Sequence, residues 1–134
     1  MPQLKVTKLR KWWQVWLRYK WRLDESYVYQ TEIYHKAGDC GYVMLRTNGQ
    51  LLIKCGYKWD GASGPTWDTP SCRRGALVHD ALYQAMRDGG LSKSFKNYAD
   101  RTLERICIED GMHPARASMW RLAVRHFGRF SLNG

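Results

Sequence analysis

The chain has 134 residues, 44% of them hydrophobic, which is the length of one ordinary domain with enough apolar material for a core and excludes global disorder. No apolar run is long enough to cross a bilayer, and charges follow the basic N-terminus where a secretion signal would place an apolar stretch and a cleavage site, so the expected location is the cytosol of the cell that makes it. Lys and Arg number 22 against 12 Asp and Glu, and the resulting formal charge of +10 favours polyanionic partners such as nucleic acid, anionic lipid or a phosphate-bearing substrate.

Residues 1–23 are rich in tryptophan and basic side chains. Placed on a helix, Leu9, Trp12, Trp13, Trp16, Tyr19 and Leu23 share one broad face, with Lys8, Lys11, Arg18 and Arg22 mainly on the other. Trp12, Trp13 and Trp16 beside Lys11 and Arg18 suit an anionic membrane surface, where an indole ring is half wet. They also suit stacking on nucleic-acid bases. The plainer alternative is a helix packed on its own domain, its long basic stems covering the edges.

Residues 27–59 read as strands. Tyr27 to Tyr34 is rich in β-formers, Gly38-Asp39 marks a turn, and the runs Tyr42–Arg46 and Leu51–Cys55 flank Asn48-Gly49. An Asn-Gly pair between two apolar runs predicts a tight hairpin in which both central residues take positive φ. Cys40 and Cys55 then lie diagonally on one face, a poor geometry for a disulfide. With Cys72 and Cys107 they form no CxxC pair, so all four are read as reduced.

Residues 56–72 hold three glycines and two prolines in an aperiodic loop, the kind of segment that more often serves a ligand than nothing. Three helices follow, over 73–88, 93–110 and 114–127. Gly89-Gly90 ends the first, Ser92 or Ser94 caps the second and Gly111 ends it, and Pro114 opens a third that Gly128 closes. No connection resembles a flexible linker. The expectation is a single α+β domain over 1–134, with a small antiparallel sheet, a helical hairpin and a C-terminal helix.

The chemistry concentrates in His79-Asp80-Ala81-Leu82-Tyr83 and the later Ala99-Asp100. His79 and Tyr83 are four residues apart and share a helix face. The short glycine connection makes the two helices antiparallel neighbours, which lets Asp100 approach His79. A carboxylate on one imidazole nitrogen fixes the tautomer and raises basicity, leaving the other nitrogen to take a proton from water. Asp80 with loop carbonyls would form an all-oxygen site suited to calcium. The competing reading is a polar contact that merely knits two helices. A metal-dependent phosphohydrolase is disfavoured because His35, His113 and His126 show no metal-binding spacing. The chain has no phosphate loop, dinucleotide fingerprint or Gly-x-Ser-x-Gly elbow.

Two resemblances attach to these residues. Asp60-Gly61-Ala62-Ser63-x-Pro65, Ala76-Leu77-Val78-His79-Asp80-Ala81-Leu82-Tyr83, Ala99-Asp100 and Val124-Arg125-His126-Phe127-Gly128 together resemble an uncharacterised family of phage and prophage proteins across residues 27–128. That resemblance implies a phage or prophage origin, with the host cytoplasm during infection or the virion as location. His79-Asp80-x-x-Tyr83 followed by Ala99-Asp100 is similar to the helical core of secreted and parvoviral-capsid phospholipase A2. This second likeness implies a water-activating His79, an orienting Asp100, a supporting Tyr83 and a calcium ion on Asp80. Loop carbonyls drawn from Trp59, Gly61 and Ser63 would complete the calcium site. It also implies lipid-surface binding through Lys11, Trp12, Trp13 and Trp16. The disulfide framework of the secreted enzymes is absent, and the glycine-rich loop departs from their calcium loop. The leading expectation is a calcium-dependent esterase or phospholipase-like hydrolase. A non-enzymatic phage accessory or virion protein is the second expectation, and a basic nucleic-acid-binding module the third.

Overall fold

Alternating burial shapes the first half of the chain. Trp21 and Leu23 are buried around an exposed Arg22, and Leu51 and Ile53 are buried around a half-exposed Leu52, as the two-residue repeat of a strand requires. The computed structural model describes residues 4–9, 21–35, 37, 41–59 and 70–133, with the side chains of 71–124 in the last stretch. The described residues include six short strands: β1 (Val6–Lys8), β2 (Trp21–Leu23), β3 (Tyr27–Gln30), β4 (Val43–Leu45), β5 (Gln50–Ile53) and β6 (Lys58–Trp59). Three helices follow: α1 (Pro70–Asp88), α2 (Lys96–Glu109), entered through a 3₁₀ turn over Lys93–Phe95, and α3 (Pro114–Asn133).

The fold is mixed α+β, with two antiparallel sheets among the described residues where one was expected. One has the order β1-β2-β6, the other β3-β5-β4. The first overturns the helical reading of residues 1–23 at both its ends. Val6 pairs with Leu23 and Lys8 with Trp21, and Trp21 pairs in turn with Trp59. Burial accounts for the difference: Trp21, Leu23 and Trp59 all enter the main core. Lys11, Trp12, Trp13, Trp16 and Arg18 lie outside the described residues.

The second sheet corrects the Asn-Gly turn. Gly49 has φ +88°, but no described non-glycine residue has positive φ, so Asn48 stays in ordinary backbone space. Gly49 N–H donates to the Arg46 carbonyl at 3.0 Å and Arg46 N–H to that of Gln50 at 2.9 Å. This is a three-residue hairpin loop with its left-handed residue last, which needs glycine only there. A Cβ on Gly49 would also lie 2.5 Å from the Thr31 carbonyl. The strand expected through Tyr34 stops at Gln30.

α1 and α2 run antiparallel, as their contacts show: Arg74 reaches Asp110, Gly75 meets Leu103 and Cys107, and His79 and Tyr83 meet Asp100. Gly90 at φ +78° reverses the chain after α1, while Gly89 and Leu91 both donate to the Ala85 carbonyl and Leu91 is buried. This is the usual glycine stop with its apolar follow-on contact. β3 and Glu32 just after it are tied to the helices through tyrosine hydroxyls. Arg74 donates to Tyr27 Oη and Arg105 to Tyr29 Oη, and Tyr98 Oη accepts from Glu32 N–H.

Two helix ends differ from expectation. α1 begins at Pro70, and α3 runs through Gly128 to Asn133. A single glycine lowers helix stability by about 1 kcal/mol without ending the helix.

Candidate active site

His79 lies midway along α1, where a register of apolar residues (Ala76, Leu77, Val78, Ala81, Leu82) turns the helix into the core. That packing holds the imidazole between α1 and α2 with 7% of the residue exposed. Nε2 stands 2.8 Å from Asp100 Oδ1. Tyr83, one turn on, donates to the same oxygen at 2.7 Å, and its ring packs against the imidazole with centroids 4.1 Å apart. Lys96 donates to the other oxygen, Oδ2, at 2.9 Å. Asp100 is 2% exposed. A carboxylate so far from water is stable only when its lone pairs are taken up, and three donors do this here.

The electrostatics follow from these bonds. Burial opposes charge on Asp100, but the bonds from His79, Lys96 and Tyr83 outweigh it and hold the carboxyl below its ordinary value. Burial likewise opposes charge on His79, and its contacts with Asp100 and Asp80 outweigh that and raise the imidazole above 6.5. Burial and the bond to Asp100 push the Tyr83 hydroxyl upward, so it stays a proton donor.

A carboxylate at Nε2 selects the tautomer with the proton there, leaving Nδ1 with its lone pair. Nδ1 faces Asp80, whose Oδ1 is 3.6 Å away, too far for a direct hydrogen bond. The Asp80 side chain is 35% exposed and that of Asp100 3%, so Nδ1 faces the more exposed of the two carboxylates. The arrangement can accept a proton from water at Nδ1 and share the resulting positive charge with Asp100.

The helix-pair residues named from sequence therefore come together: His79, Tyr83 and Asp100 in contact, Asp80 beside them. Of the expected calcium ligands, Asp80 and Trp59 are among the described residues. Calcium takes six to eight oxygens, and no group of three His, Cys, Asp or Glu side chains suited to a metal exists among the described residues. Trp59 ends β6 with its ring buried, and Gly61 and Ser63 lie outside the described residues. Asp80 is the one carboxylate among these expected ligands.

Lys96 is the site residue that the sequence reading missed. Its signal was the i,i+4 spacing to Asp100, which on most helices marks a solvent-exposed ion pair. His113 is accounted for otherwise, since its Nδ1 accepts from Ala115 N–H at the start of α3. The described cysteines, Cys55, Cys72 and Cys107, form no disulfide. Burial, with Cys72 nearby, pushes the Cys107 thiol up to about 12, which removes it as a nucleophile. Among the described residues no helix is long and apolar enough to cross a membrane. Comparison with protein-family models, curated proteins and solved structures gives no match for this chain.

Proposed function

We propose that the chain is a hydrolase of phage or prophage origin that cleaves carboxylic esters, phospholipids foremost, with water activated at His79 Nδ1. The observation that carries this reading is the 2.8 Å contact from His79 Nε2 to an Asp100 carboxylate that two further donors hold in place. In the proposed reaction Nδ1 takes a proton from water as the water oxygen bonds to the ester carbonyl carbon. Asp100 stabilises the imidazolium through Nε2–H. The tetrahedral intermediate then expels the alkoxide, which takes the proton from Nδ1, giving acid and alcohol. General-base assistance of this kind is worth about 10²–10⁴-fold.

Calcium at Asp80 belongs to the proposal through the phospholipase resemblance, as does lipid-surface binding by Lys11, Trp12, Trp13, Trp16 and Arg18. A bound calcium ion would polarise the ester carbonyl. The functional test is release of fatty acid from anionic phospholipid vesicles, with and without calcium, by the wild-type chain and by His79→Gln. Release by the wild type alone is expected. Calcium should raise the melting temperature of the wild type and leave Asp80→Asn unmoved. An equal response of both proteins to calcium would remove the metal from the proposal.

Burial of the imidazole favours a second reading, a non-enzymatic phage accessory protein in which the pair only joins α1 to α2. No hydrolysis of any lipid or short-chain ester, with a loss of stability in His79→Gln, is its expected signature. The +10 charge leaves nucleic-acid binding third. Binding to DNA that weakens steeply with salt is its expected signature.

A further inference from the structure

Lys96 stands where helix electrostatics disfavour it. It is the first residue of α2, beside the positive end of the helix dipole, and no acidic residue offsets it in the first turn. Its pairing with Asp100 four residues later also runs in the less favourable order, since an acid preceding a base stabilises a helix better. A residue that breaks two local rules is expected where another requirement prevails. Here its side chain is 19% exposed and that of Asp100 3%.

The two Asp100 oxygens are divided by donor. Oδ1 takes His79 Nε2 at 2.8 Å and Tyr83 Oη at 2.7 Å, and Oδ2 takes Lys96 Nζ at 2.9 Å. A carboxylate gripped only at Oδ1 can turn about its Cβ–Cγ bond. Gripped at both oxygens it is fixed in plane, and Oδ1 stays aimed at the imidazole. We propose that Lys96 is a positioning residue that acts through Asp100, locking the carboxylate so that Oδ1 alone serves His79 and the imidazole keeps its proton on Nε2. The role rests on the hydrolytic reading of His79, but the geometry it describes can be read without any substrate.

The experiment is nitrogen-15 and proton NMR of the imidazole, at one fixed pH at which the ring is neutral, in wild type, Lys96→Met and Lys96→Arg, with His79→Gln to assign the signal. The wild type should show a single tautomer and a far-downfield Nε2 proton. Lys96→Met should lose that proton signal and mix the tautomers, and Lys96→Arg should restore both. Where wild type turns over ester, Lys96→Met should lower kcat about 10-fold with KM held within about 2-fold, because a group supporting a reactive residue acts on the chemical step. An unchanged proton signal in Lys96→Met overturns the proposal, and so does a signal lost equally in Lys96→Arg. If Lys96→Met does not fold, the same comparison is made with Lys96→Leu, which likewise lacks a donor. A wild type with no hydrolysis but with the expected signals would remove the hydrolase reading and leave the positioning of His79 by Lys96 standing.

Discussion

His79 Nε2 and Asp100 Oδ1 lie 2.8 Å apart across two helices, although 21 residues separate them in sequence. Two features of the chain produce the contact: Gly90 reverses direction after α1, and Gly75 lets α2 approach. The pair therefore depends on the helix crossing as much as on its own hydrogen bond.

Tyr83→Phe removes the hydroxyl that shares Asp100 Oδ1 with His79 and keeps the ring. A hydrogen bond to a charged group contributes about 1.5–3 kcal/mol. The expected loss of stability is of that size, read as a lower urea midpoint with an unchanged slope. An unshifted midpoint would show that Asp100 does not need the phenol.

The pair also sets a pH window. Asp100 titrates below its ordinary 3.8 in the folded chain, so its contribution to stability is complete above 3.8 and is lost as pH falls through the lower folded value. His79 titrates above 6.5, so its contribution is complete below 6.5 and is lost as pH rises through the raised value. Stability from this pair should therefore be greatest between about 3.8 and 6.5. Activity should run the other way on the alkaline side, because only neutral His79 accepts a proton. Urea midpoints across pH check this, with Asp100→Asn expected to flatten both edges.

Gly75→Ala sets two effects against each other. Alanine is the better helix former by about 1 kcal/mol. Its Cβ would lie 2.9 Å from Cys107 Sγ, 3.1 Å from Leu103 Cδ1 and 3.2 Å from the Leu103 carbonyl. The carbonyl belongs to the α2 backbone and cannot turn aside, so overpacking, at about 1–3 kcal/mol, should win. The expected result is a net loss, partly recovered in Gly75→Ala with Cys107→Ala, where the nearest atom is gone. A stabilised Gly75→Ala would show that α1 and α2 are not closely apposed there.

The helical half of the fold was legible because its signals are local. Helix-face spacing places His79 with Tyr83, and Gly90 predicts the reversal that brings α2 back. The first sheet was not legible. β1 and β2 have three residues each, too few to show a two-residue repeat, and in sequence they merge with the tryptophan-rich run between them into one amphipathic helical pattern. Gly128 failed as a stop signal because one glycine inside a long helix is tolerated. Lys96 escaped notice because spacing alone cannot tell a buried ion pair from a solvated one; that difference is made by the packing of α1 over Asp100.

The measurement that bears most directly on the catalytic reading is the rate of ester hydrolysis against pH for the wild type and His79→Gln. The wild-type rate should rise through a single ionisation above 6.5 and level off. His79→Gln should be slower by about 10²–10⁴-fold, without that ionisation. Equal rates for the two proteins, or a wild-type profile that His79→Gln leaves unchanged, would contradict a base at this position.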